Sequence, residues 1–79
     1  MTMIPEFERI VLTADLTDED LRAGDVGTIV HIHNDGEAYE VEFLLLDGTT
    51  AAVATVRADQ LRLVSHNDIT HARTLAEVA

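Results

Sequence analysis

Residues 24–43 read Gly24-Asp25-Val26-Gly27-Thr28-Ile29-Val30-His31-Ile32-His33-Asn34-Asp35-Gly36-Glu37-Ala38-Tyr39-Glu40-Val41-Glu42-Phe43. Two runs rich in β-branched and aromatic residues flank Asp35-Gly36, a favoured central pair for a two-residue hairpin turn. That turn sets Ile32 opposite Tyr39, His31 opposite Glu40, Val30 opposite Val41, Ile29 opposite Glu42 and Thr28 opposite Phe43. Strand pleating then sorts the ribbon into two faces. Val30, Ile32, Tyr39, Val41 and Phe43 form an apolar inner face, and Ile29, His31, Glu40 and Glu42 form a mixed outer one.

Asp47-Gly48 offers a second reversal of the same kind. It pairs Phe43 with Ala52, Val41 with Ala54 and Tyr39 with Val56, all inward, so that large residues interdigitate with small ones. Outward lie Leu44 opposite Ala51, Glu42 opposite Val53 and Glu40 opposite Thr55. Before this meander, Phe7 to Leu12 reads as a first strand. Residues 15–23 form a loop with one helical turn capped by Thr17, and Leu16 and Leu21 tuck inward from it. Gly24 and Gly27 mark a bulge or a close backbone approach. Ala58-Asp59-Gln60 reads as a short turn, and Leu61 to Val64 as a closing strand.

The chain is therefore mainly β: a small five-stranded SH3-like barrel over residues 1–64, followed by a C-terminal helical tail over residues 65–79. Ser65 or Asn67 would cap that short helix, whose apolar stripe is Ile69, Ala72, Leu75 and Ala76.

Seventy-nine residues hold one domain with a marginal core, and there is no cysteine to brace it. Help from a second copy or a partner protein is the expectation. Fifteen acidic residues against five arginines give a formal charge of −10, a field that repels phosphate backbones and steers toward basic proteins. The opening residues carry no basic, apolar leader, and no apolar run reaches the ~20 residues of a membrane span. The chain reads as cytoplasmic.

Catalytic constellations are not legible. Ser65, His66 and Asp68 are neighbours in sequence, with no turn to make their side chains converge. His31, His33 and Glu40 share a face and could hold a divalent metal, but no further ligands accompany them; they read instead as a surface cross-strand pairing of His31 with Glu40. No catalytic residue, cofactor or metal is assigned. The informative feature is the outer face of the meander, where Ile29, Leu44, Leu46, Ala51 and Val53 form an apolar patch edged by Glu40 and Glu42. Such a patch with an acidic rim reads as a partner surface, as the seat of a homodimer, or as a face that the C-terminal helix folds back to cover.

Residues 24–30 and 39–43 resemble the opening of KOW and SH3-like modules. More closely, the chain resembles a family of very small bacterial proteins carrying a domain of unknown function. The shared arrangement here comprises Leu12, Asp15, residues 21–30, residues 37–43, Asp47-Gly48 and residues 52–55, with an ending similar to Ile69-Thr70-His71-Ala72-Arg73. The resemblance implies an antitoxin-like or immunity-like inhibitor, a non-catalytic protein-interaction module. The alternatives are a KOW-like nucleic-acid-associated module, disfavoured by charge, and a small metal-binding accessory protein.

Overall fold

The computed structural model describes residues 3–75. Five antiparallel strands, β1 (Arg9–Leu12), β2 (Val26–His33), β3 (Ala38–Leu44), β4 (Thr50–Arg57) and β5 (Leu61–Leu63), form one sheet in the order β4-β3-β2-β1-β5. Phe7 lies outside β1, exposed and at a φ of 69°, so the first strand is shorter than its apolar letters suggest. Among the described residues no pairing joins β4 to β5, and the sheet is open rather than a closed barrel. It still curls, because Ile10, Leu12, Ile29, Tyr39, Val41, Phe43, Ala54, Val56 and Leu61, drawn from all five strands, meet in one buried cluster.

The β3–β4 register is the expected one from Ala38–Arg57 through Phe43–Ala52, and then slips by one residue, so that Leu44 opposes Thr50 and Ala51 is the extra residue of a bulge. The turn explains the slip. Gly48 (φ +92°) donates to the Leu45 carbonyl and Leu45 to that of Thr49, a three-residue reversal in place of a two-residue one. The Asp47 carboxylate fixes it by accepting from both the amide and the hydroxyl of Thr49.

The β2–β3 hairpin departs more. Its loop is four residues long, with positive φ at Asn34, Asp35 and Gly36, and His33 opposes Ala38. The expected pairs Ile32–Tyr39 and His31–Glu40 form, but a bulge then intervenes and Ile29 opposes Val41, not Glu42. The extra residue is Val30. Its insertion reverses the alternation beyond it, so Ile29 turns into the core with no exposed surface, and Gly27 turns inward beneath β3. A Cβ at Gly27 would stand 2.5 Å from Val41 Cγ1 and 2.9 Å from the Glu42 carbonyl oxygen. Only glycine lets the two strands approach this closely.

Residues 15–23 form the expected pinned loop. Leu16 and Leu21 pair through a β-bridge and Leu21 is buried. The 3₁₀ turn is Thr17–Glu19, but Leu16 rather than Thr17 stands at its N-cap, and no side chain caps it. A second 3₁₀ turn, Ala58–Gln60, leads into β5 as the sequence suggests.

The described part of the tail, residues 65–75, carries no helix. Asp68 accepts from the Ser65 amide (2.7 Å) and both guanidinium branches of Arg62 (2.8 and 3.0 Å), turning the chain sharply after β5. The residues that follow run as an irregular strap past the loop before β2. The part of the expected helix that falls on residues 76–79 lies outside the described residues. An apolar stripe this short gives little helical stability by itself, so specific anchors decide the path.

Candidate partner-binding face

The anchor of the strap is Asp25. Its backbone continues the ladder where Leu12 donates to its carbonyl (2.9 Å), and its buried carboxylate closes the 22–25 turn by accepting from the Arg22 amide (2.8 Å). Onto that carboxylate the strap delivers Arg73 in bidentate fashion, Nε at 2.8 Å and Nη2 at 2.7 Å, with His71 Nε2 at 3.2 Å. Arg73 Nη2 also donates to the Asp20 carbonyl (2.9 Å). Burial pushes the Asp25 pKa up, but the Arg73, Arg22 and His71 contacts outweigh it and hold the carboxyl below its ordinary value. The ring of His71 sits over Gly24, whose φ of +97° and missing side chain leave room for it.

Val11 and Val26 pair across β1–β2 on the face opposite Ile10 and Gly27, and they line a cleft beneath this strap. The cleft, about 470 Å³, continues from there to Leu44, Leu45 and Leu46 at the tip of the β3–β4 hairpin. The described part of the tail therefore covers the β1–β2 side of the sheet, and among the described residues the hairpin side is left uncovered. Leu44 is 50% exposed, Leu46 92% and Val53 53%. Ala51 is partly exposed at its bulge. Of the seven residues expected on the partner face, Ile29 is the exception, being enclosed in the core for the reason the Val30 bulge supplies.

The acidic rim is held in place. The Glu40 carboxylate accepts from His33 Nε2 (2.6 Å) and the Thr55 hydroxyl (2.8 Å), which together keep its pKa below the ordinary glutamate value. Glu42 accepts from the Thr50 hydroxyl (2.8 Å). The cross-strand partner of Glu40 is thus His33, not His31. His31 opposes Glu40 in backbone register, yet its ring packs edge-on against His33 at 4.8 Å, and the diagonal neighbour makes the contact. Among the described residues no three His, Asp or Glu side chains gather as metal ligands would. Asp68 is engaged with Arg62, which draws its pKa down to about 2, and Ser65 Oγ accepts from the Asn67 amide (3.2 Å), so these residues shape a turn.

Sequence reasoning missed the Asp25–Arg73–His71 cluster. Its partners stand 46 and 48 residues apart, and only the noted similarity of the Ile69–Arg73 letters to a family ending pointed at the tail.

Fold and surface together define an all-β domain of one curled sheet, with an apolar hairpin face that no other described residue covers, edged by fixed carboxylates. The family described as Domain of unknown function (DUF4926) matches residues 6–63, and the chain belongs to that family. No curated protein and no solved structure matches it. Among the described residues no helix is long and apolar enough to cross a membrane.

Proposed function

We propose that this chain is a non-catalytic protein-interaction module, an antitoxin-like or immunity-like acidic protein on an open SH3-like sheet, acting in the cytoplasm. The outer face of its β3–β4 hairpin docks a basic partner protein. The observation that carries the reading is the exposure of Leu44 and Leu46 at the hairpin tip and of Val53 on the outer face of β4, beside the held carboxylates of Glu40 and Glu42. Apolar centre and charged rim are how a transient interface is built. A formal charge of −10 supports a basic partner by long-range steering and weighs against nucleic acid.

Affinity capture from the native host tests this with two baits, the natural chain and a Leu44→Asp, Leu46→Asp variant. Both changes lie on exposed positions, so the circular dichroism spectrum is expected to be unchanged. A protein held by the natural chain and lost from the variant, with an on-rate that falls as salt rises, is the expected outcome. Equal capture by both baits contradicts the reading.

A further inference from the structure

The two edges of the sheet differ. β5 is three residues long, with Arg62 at its centre and the tail turning off its end. β4 has eight residues, and it pairs with β3 alone. Among the described residues the backbone groups of residues 50–56 bond to no element other than β3. Edge strands are normally blunted by shortness, lysine or proline. A bulge serves the same purpose, and it is the one such device β4 carries: it lies at Ala51 near one end and leaves residues 52–57 regular, with Arg57 the strand's single charge at the far end.

An antiparallel edge is complementary to itself across a two-fold axis, provided that residues of like face oppose one another. Beyond the Ala51 bulge, β4 alternates regularly, with Ala52, Ala54 and Val56 inward and Val53, Thr55 and Arg57 outward. Centring the axis on Ala54 sets Val53 opposite the second copy's Thr55 and Ala52 opposite its Val56. Small side chains at the axis allow close approach. Arg57, which in the single copy makes an exposed pair with Asp59 (3.2 Å), then lies opposite the second copy's Ala51, and the Glu42 carboxylate of that copy, drawn toward the adjacent Thr50, offers it a second acidic partner.

We propose that β4 pairs edge to edge, antiparallel, with β4 of a second copy of this chain, joining two five-stranded sheets into one of ten strands. The pairing uses the strand edge and goes beyond the partner surface above. Each copy carries a charge of −10, so their mutual repulsion is screened by salt and the association tightens as salt rises.

Sedimentation equilibrium over a concentration series at low and high salt tests this, with amide hydrogen exchange on the same samples. The expected result is a monomer–dimer equilibrium favoured by salt, with β4 amides slowing as concentration rises. Thr55→Lys places an ammonium against the second copy's Val53 and weakens association by about 100-fold. Because the Thr55 hydroxyl also holds Glu40 of the acidic rim, the variant that separates this pairing from the partner reading is Arg57→Glu, which leaves Leu44, Leu46, Val53 and the Glu40 contacts intact: loss of the dimer with capture retained is expected. Arg57→Glu weakens the dimer and adding Glu42→Arg restores it. A natural chain that stays monomeric at the highest concentration and salt overturns the proposal, as does a Thr55→Lys dimer of undiminished strength. Should Thr55→Lys fail to fold, the concentration dependence of β4 exchange in the natural chain decides: no slowing overturns it.

Discussion

Replacing Gly27 by alanine lowers the melting temperature by about 10–20 °C, the shift expected when a domain of this size loses about 2–3 kcal/mol. The added methyl meets three obstacles. Val41 Cγ1 at 2.5 Å belongs to a fully buried side chain whose β-branching restricts χ1. The Glu42 carbonyl oxygen at 2.9 Å is backbone, and Phe43 Cδ1 at 3.0 Å is packed in the same cluster. β2 and β3 must separate to admit it, which disturbs the hairpin that presents the outer face. Against a total stability of about 4–12 kcal/mol for a chain of 79 residues, the loss is large. Gly48→Ala is the control. Nothing lies within 4 Å of a Cβ there, so only its φ of +92° resists, at about 1 kcal/mol. Thermal melts followed by circular dichroism rank the two. Equal shifts would show that the close approach at Gly27 carries no energy.

Removing the strap's anchor has the second largest effect. Arg73→Ala leaves a largely buried carboxylate with the Arg22 amide and His71 alone, and costs about 1–3 kcal/mol at neutral pH. The figure stays below that of a fully buried pair because the Arg73 side chain retains 21% exposure. Its pH dependence identifies the cause. The folded-state pKa of Asp25 lies below its unfolded value, so the stabilisation it contributes is complete above the ordinary aspartate pKa, ~3.9. That contribution fades as pH falls through the lower folded value. Asp68, held at about 2 by Arg62, follows the same direction and loses its contribution between roughly pH 4 and 2. The gap in stability between the natural chain and Arg73→Ala therefore narrows in acid. A gap constant from pH 7 to pH 3 would mean that Arg73 acts through packing and not through Asp25. Limited proteolysis adds an independent readout, with faster cleavage of residues 65–75 in the variant.

The alternation of Tyr39, Val41 and Phe43 against Glu40 and Glu42 was legible because a period of two admits only one buried face. The β4 partners followed from the Asp47-Gly48 corner, and a one-residue change in that corner moved only the pairs nearest it. Ile29 and Val30 were not separable by pattern. Both are β-branched and apolar, and a single extra residue exchanges which of them enters the core. Gly27 held the missing signal: a glycine opposite large inward residues fits beneath Val41 and Phe43, and that requires the inward phase of Ile29. The tail misled for a different reason. Ile69, Ala72 and Leu75 fall at helical spacing, but the path of the chain is set by Arg73 reaching Asp25, 48 residues away, a contact that local periodicity cannot encode.

The proposed partner surface rests on the separation of the sheet into a filled side and an exposed hairpin side. Methyl-resolved NMR with a soluble paramagnetic agent measures it most directly, without requiring a partner. Strong relaxation enhancement at Leu44, Leu46 and Val53, with little at Ile29, Val41 and Val56 and intermediate values at Val11 and Val26 beneath the strap, is the predicted result. Protection of Leu44 and Val53 comparable to that of Val41 in the monomer would contradict the account.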